Sequence, residues 1–442
     1  MLGSLPNEVV GIIVGFCQPG DLCALSRTCK PLHGHAVPAL YRSISLSNKT
    51  NAESVLAELT NEDGEERMSD HRPPAELLKL TRSLNVTLPW HHPNSWRTKR
   101  AIHNVNQMTG LRHLSIMYVE EEEYMEGHDL PLPSMLARTL TSCTVGFKDW
   151  ANWTISEAAC LLKHQTLRQL KLHWATSQVH VRIPDMGKGS TVLKSLSLID
   201  CNIDPEDLYR VLRYPRALQY LTLATDFGDN NIIDDEEINC SNYFAAIQRA
   251  SGKSLKGLRF DVTHMGNLIV PAPGMHELRN VLYLEVAPDH IELAKDVLSF
   301  TIPIPDIECP LEHLLPPNLE VLKLTPSASD MPTLWNIVER RGDIVPHLRK
   351  IILSLDYRNR IMKKELITAL QKREDYDPEV LKDEEDLQDM YPCVRKRVLR
   401  SFRRYCEEHG VELMFLYEDI MRKEILEEGA GPSVWEIEDQ NR

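Results

Sequence analysis

The chain has 442 residues, 42% of them apolar, with 50 Lys plus Arg against 64 Asp plus Glu and a net charge of −14. That length and composition fit two or three folded domains or one extended solenoid, and they exclude a disordered chain. The acidic balance argues against non-specific binding to nucleic acid or to an anionic membrane as the main task, while leaving local basic patches open.

The first predicted elements lie between Leu5 and Leu46. Val9, Val10, Ile13, Val14 and Cys17 recur at helical spacing, with Asn7 or Glu8 in the first turn. Gln18, Pro19 and Gly20 stop that helix. Asp21 caps a second one carrying Leu22, Leu25 and Cys29, and Pro31 and Pro38 are expected to break the next stretch into short pieces. A unit of this size buries little core alone and calls for a partner or for the domain behind it. One reading is a docking module; the other is a small helical cap on the following domain. A secretory signal does not fit, because no basic region precedes the apolar run and Pro19-Gly20-Asp21 is not a small-residue cleavage site.

This stretch resembles an F-box. The matching residues are Leu5, Pro6, Glu8, Ile13, Phe16, Asp21, Leu22, Leu25, Ser26, Cys29 and Leu32, followed by Pro38, Leu40 and Tyr41-Arg42-Ser43-Ile44, an ending common in fungal members. The resemblance implies docking onto the Skp adaptor of a cullin-RING ubiquitin ligase, and it places Leu5, Pro6, Val10, Ile13, Leu22 and Leu25 at the adaptor contact. The sequence departs from the family at Gly11, Gly15 and Cys17. Each helical glycine costs roughly 1 kcal/mol relative to alanine.

Residues 47–76 read as a linker, acidic from Asn61 to Asp70. From 77 to 356 one strand pattern, L-x-x-L-x-L or a degenerate version, recurs ten times. It begins near Thr81, Leu111, Leu140, Leu167, Leu193, Leu218, Leu255, Val281, Leu319 and Leu348. Helices with their own signals fill several intervals: Ala158 to Lys163, a run after Asp204-Pro205 with Leu208, Val211 and Leu212, Tyr243 to Ala250 before Gly252, and Pro332 to Arg341 before Gly342. Each unit leaves an apolar face that only its neighbours can bury. The units resemble leucine-rich repeats of degenerate type, with the Asn or Cys expected after the third leucine clear at Cys201. The implied fold class is an α/β repeat, an N-terminal helical F-box followed by an irregular leucine-rich-repeat solenoid, or horseshoe. A doubly wound parallel sheet shares the alternation, but no glycine-rich phosphate loop follows any strand.

Acidic insertions stand at Glu120 to Glu123 and at Asp226 to Glu237, and they read as solvated loops. Residues 357–428 form a charged helical segment and a capping unit: a helix from Lys363 to Lys372, an acidic stretch from Glu374 to Asp389, a basic amphipathic helix from Tyr391 to Cys406 and a last strand from Gly410 to Tyr417. Residues 429–442 read as a tail.

The ten cysteines are scattered singly with no C-x-x-C pair, which predicts reduced thiols in a cytoplasmic or nuclear protein. No apolar run approaches the roughly twenty residues that span a bilayer. Neither nucleophile motifs nor zinc or phosphate motifs occur, and His33, His35, His91 and His92 form isolated pairs. No catalytic residue, metal or cofactor is predicted. The reading is a substrate-recognition subunit of a Skp-cullin-F-box ligase, with partners limited to the Skp adaptor and a target protein, and no nucleic acid or membrane. Strand positions between the buried leucines would bind the target: Gln169, Lys171, His173, Tyr220, Thr222, Arg259, Asp261, Tyr283, Glu285 and Lys323. The alternatives are an interaction scaffold without ubiquitin transfer and an enzyme on a parallel-sheet fold.

Overall fold

The computed structural model describes residues 5–46, 75–90, 104–120, 137–147, 153–177, 187–227, 240–264, 274–286, 315–324, 331–355 and 400–417. The chain divides into two compact units, 1–194 with 214–216 and 195–213 with 217–442. Both are α/β with parallel strands. Among the described residues no helix is long and apolar enough to cross a membrane.

The first unit opens with three helices, α1 (Asn7–Gly15), α2 (Pro19–Ser26) and α3 (Lys30–Arg42). Val10, Val14, Leu22, Leu32 and Ala36 make their shared core, with Cys17, Leu25, Ala39 and Leu40 packed against it. Gln18, rather than Asp21, is the N-cap of α2. Asp21 closes the capping box from three residues on, accepting the Gln18 backbone N–H at 3.3 Å. The expected break at Pro38 does not occur, and α3 runs through it. Pro38 has no N–H for the Gly34 carbonyl, but Gly34 is exposed, so water can satisfy that oxygen while Leu32 and Ala36 hold the helix in the core. Gly11 lies mid-helix with open space where a Cβ would stand. Gly11→Ala is therefore expected to raise stability by about 0.5–1 kcal/mol in urea denaturation.

The main sheet of the first unit takes the strands β1 (Ser43–Leu46), β2 (Ser83–Trp90), β3 (His113–Glu120), β4 (Ser142–Phe147) and β6 (Gln169–His173) in that order, all parallel. The two-residue strands β5 (Trp153–Thr154) and β7 (Ala175–Thr176) pair beside it. In the second unit the order is β8 (Ser195–Ile199), β9 (Tyr220–Phe227), β10 (Gly257–His264), β11 (Tyr283–Val286), β12 (Val321–Leu324), β13 (Lys350–Leu355) and β14 (Glu412–Tyr417), again parallel.

All ten predicted strands are present, each beginning two residues after its expected start. The cause recurs along the array. The first hydrophobic residue is buried at Leu111, Leu140, Leu167, Leu193, Leu218, Leu255, Val281, Leu319 and Leu348, and after each of these except Leu218 the next residue donates its N–H to the equivalent carbonyl one repeat earlier. Arg82 bonds Arg42, Arg112 bonds Arg82, Thr141 bonds Arg112 and Arg168 bonds Thr141, at 2.8 to 2.9 Å. Lys256, Leu282, Glu320, Arg349 and Glu412 continue the pattern in the second unit. A side-chain ladder reinforces it. Thr139 and Thr166 donate to the carbonyls of Leu111 and Leu140 at 2.7 and 2.8 Å, and Asn280 and Asn318 donate to those of Gly252 and Arg279 at 2.9 and 2.7 Å. Polar residues just ahead of the first leucine thus join neighbouring repeats. Cys201 is buried as its place in the repeat demands, its thiol donating to the Ile199 carbonyl at 3.2 Å.

The expected helices lie at Ala159–Leu162, Pro205–Leu212, Cys240–Ser251 and Met331–Glu339. Asp204 caps the second of these, accepting the Asp207 N–H at 2.8 Å. Gly342 does not end the last one; it lies inside a short following helix, Arg341–Ile344. At the far end of the second unit, the helical residues around Phe402 and Cys406 pack their buried side chains inward, with Trp335 and Phe402 ring centres 4.8 Å apart. β14 then extends the sheet as its last strand. The predicted helix 363–372, the acidic stretch 374–389, the beginning of the basic helix, most of both acidic insertions and the tail lie outside the described residues.

Candidate functional site

An α-helix advances about 100° per residue, so Val9, Ile12 and the C-cap residue Phe16 fall within roughly 60° of one another on α1, while Leu5 stands ahead of the extended N-cap residue Pro6. Leu5, Val9, Ile12 and Phe16 are 38%, 39%, 62% and 84% exposed, whereas Val10 and Val14 on the other side of α1 are core residues. Among the described residues the remaining exposed large hydrophobics are Leu80 and Val192, each away from this stripe. Val9, Ile12 and Phe16, with Leu5 just ahead of the helix, thus give α1 an outward apolar face opposite its core residues, and exposed apolar faces of this kind are commonly interaction surfaces.

The residues predicted for adaptor contact divide accordingly. Leu5 and Pro6 are exposed. Ile13 and Leu25 are half-buried, and Leu25 packs on the helical core. Val10 and Leu22 lie inside that core and have no surface to offer a partner. Apolar residues occupy almost every position of α1, so spacing alone does not separate the inward face from the outward one. Ile12 escaped the sequence reading for this reason.

The sheet positions nominated for the target also divide. The parallel register places Thr222, Arg259, Glu285 and Lys323 side by side in one row across β9 to β12, with Tyr220, Gly257, Tyr283 and Val321 in the row before it. Asp261 stands opposite Ala224. Charges brought together this way pair with each other. Glu285 Oε1 accepts Lys323 Nζ at 2.8 Å and lies 3.3 Å from Arg259 Nε, with the three residues 6 to 8% exposed. Glu285 Oε2 is buried without a hydrogen-bond partner. Tyr283, Val321 and Ile352 form a core cluster beside the triad, flanked by Tyr220 and Met414. Thr222, Arg259, Tyr283, Glu285 and Lys323 are therefore interior residues, not target contacts.

The equivalent face of the first unit is different. Its rows read Ser43, Ser83, His113, Ser142, Gln169 and Ser45, Asn85, Ser115, Thr144, Lys171, all exposed or half-buried. Gln169 and Lys171 are thus placed as predicted. His173, one step further, is buried because Gly146 opposite it has no side chain: a Cβ there would stand 2.3 Å from the His173 carbonyl oxygen. Trp153 Nε1 also donates to that carbonyl, at 2.8 Å.

Burial, with Lys171 adding to it, lowers the His173 pKa to about 3. The ring is neutral in the folded chain at every pH above that value. Between the ordinary value near 6.5 and about 3, the unfolded chain binds a proton that the folded chain does not, so stability falls as pH falls through this window. Relative to His173→Gln, the wild-type chain is expected to lose about 1.4 kcal/mol per pH unit below pH 6. Urea denaturation of both at pH 7 and pH 5 measures it.

His33 bonds the Ser26 carbonyl through Nδ1 at 2.9 Å, and His35 lies 3.4 Å from Asn7 Oδ1. His91 and His92 lie outside the described residues. Among the described residues no group of three or more His, Cys, Asp or Glu side chains is placed to hold a metal ion. The described cysteines, Cys17, Cys23, Cys29, Cys143, Cys160, Cys201 and Cys406, are free thiols. No protein-family model matches the chain, and no curated protein matches it significantly.

Proposed function

We propose that the chain is a substrate receptor of a Skp-cullin-F-box ubiquitin ligase. The observation that supports this best is the exposed stripe Leu5, Val9, Ile12 and Phe16 on a helical module with its own core. Its entry residues and helix pattern are those that resemble an F-box. In this reading the adaptor covers the stripe, and the parallel strands behind it are degenerate leucine-rich repeats, in which each repeat buries its neighbour's apolar face. The open serine- and threonine-rich rows of the first unit, rather than the buried rows of the second, meet the target. The chain itself makes and breaks no bond. It holds a target lysine near a charged ubiquitin-conjugating enzyme, and the rate gain comes from proximity.

The test is target lifetime. A protein captured by the first unit should persist longer both when the proteasome is inhibited and when residues 1–46 are removed from the receptor. A captured protein whose lifetime responds to neither would make the chain a scaffold without ubiquitin transfer.

A further inference from the structure

Six residues of the first unit each stand just ahead of a strand, of β1, β2, β3, β4, β6 and β8 in turn, and five of them are basic: Arg42, Arg82, Arg112, Arg168 and Lys194, with Thr141 as the exception. The backbone bonds between repeats stack these residues one per strand. At about 4.8 Å per strand, the row from Arg42 to Lys194 is roughly 24 Å long. Arg42, Arg112, Arg168 and Lys194 are exposed, and among the described residues none of them forms an ion pair. Arg82 instead turns inward and donates to the Gly110 carbonyl at 2.7 Å. A single-file row of unpaired cations in a chain of net charge −14 is a local reversal of sign.

The first half of the row lies in a groove of about 1260 Å³ between the helical module and the sheet. Arg42, Arg82 and Arg112 line it together with Leu22, Pro38 and Leu80, and among the described residues no carboxylate does. Gly11 and Gly15 leave its α1 wall without side chains.

We infer that this groove and the basic row beyond it bind an extended acidic peptide segment of a protein partner, with an apolar residue seated against Pro38 and Leu80. Charge complementarity selects the acidic side chains, and the contact with guanidinium groups favours carboxylates held in pairs. An extended peptide rises about 3.4 Å per residue, so about seven residues match the row. Nucleic acid fits less well, because the net negative charge of the chain repels a long polyanion. The inference rests on the reading of the first unit as the target-binding surface, and not on adaptor docking.

The experiment titrates the full-length chain into a fluorescein-labelled probe of six glutamates followed by two leucines, at about 0.1 M salt, where screening acts over about 10 Å. Saturable binding is expected, weakened at least tenfold by Arg112→Glu with Arg168→Glu and unchanged by Ile12→Asp with Phe16→Asp. Arg112→Gln with Arg168→Gln should give the same ordering if the reversal variant does not fold. The inference is overturned by the absence of saturable binding, by equal affinity in the charge variants, or by preference for an eight-nucleotide single strand over the peptide. Adaptor binding measured on the same preparation separates the two readings, because its loss with peptide binding intact counts against the adaptor alone.

Discussion

Ile12→Asp combined with Phe16→Asp should abolish capture of the Skp adaptor while leaving the chain folded. Burying each side chain against a partner contributes about 1.5–3 kcal/mol, so losing both weakens binding by at least about 3 kcal/mol, or more than roughly a hundredfold, before the cost of burying two new charges is counted. The stability change should stay within about 0.5 kcal/mol because both side chains face solvent in the free chain. Surface plasmon resonance with the purified adaptor, alongside thermal denaturation, measures both quantities. Val10→Asp is a poor test of the same idea. It places a charge in the core of Val10, Val14, Leu22, Leu32 and Ala36, and lost binding would then report lost folding.

Removing the shared carboxylate of the interior triad should have the second large effect. Glu285→Gln leaves Arg259 and Lys323 buried without the group that both approach, and it should destabilise the second unit by about 3–5 kcal/mol in urea denaturation. Replacing all three residues by apolar ones of similar volume, Arg259→Met, Glu285→Leu and Lys323→Met, should be neutral or stabilising by about 1–4 kcal/mol, because the desolvation of the ions is removed together with their attraction. The pair of results separates an interior charge network from a recognition surface. A loss below about 1 kcal/mol for Glu285→Gln, within the range of an exposed ion pair, would mean that the triad remains solvated and available to a target.

The repeats were legible because their signal is redundant. Ten strands carry the same spacing of buried leucines, and an error at any one would be corrected by its neighbours. Cys201, the Asp204 cap and the final strand were legible for the same local reasons. The charged rows were not. Arg259, Glu285 and Lys323 sit on three different strands, and only the register reveals that the two cations meet the one carboxylate in a single row. The short strand β1 follows α3 without a break and has no leucine repeat of its own, so nothing but its pairing with β2 marks it. On α1 the difficulty was the opposite. Val9, Val10, Ile12, Ile13, Val14 and Phe16 are all apolar, and the partners that bury Val10 and Val14 come from α2 and α3. The outward face, which matters for function, is thus fixed by tertiary packing. The basic row escapes a linear reading because its successive positions, Thr141 included, lie 26 to 40 residues apart, and they come together only through parallel strands in register.

The central claim is that the stripe on α1 is an adaptor-docking face, and hydrogen exchange on the intact chain with and without the purified Skp adaptor tests it most directly. The account predicts a one-to-one complex in which the amides of residues 7–16 exchange more slowly on adaptor binding, while those of the buried strands β9 to β12 do not change. A folded chain that forms no complex, or a complex that protects the sheet and leaves α1 unaltered, would contradict it.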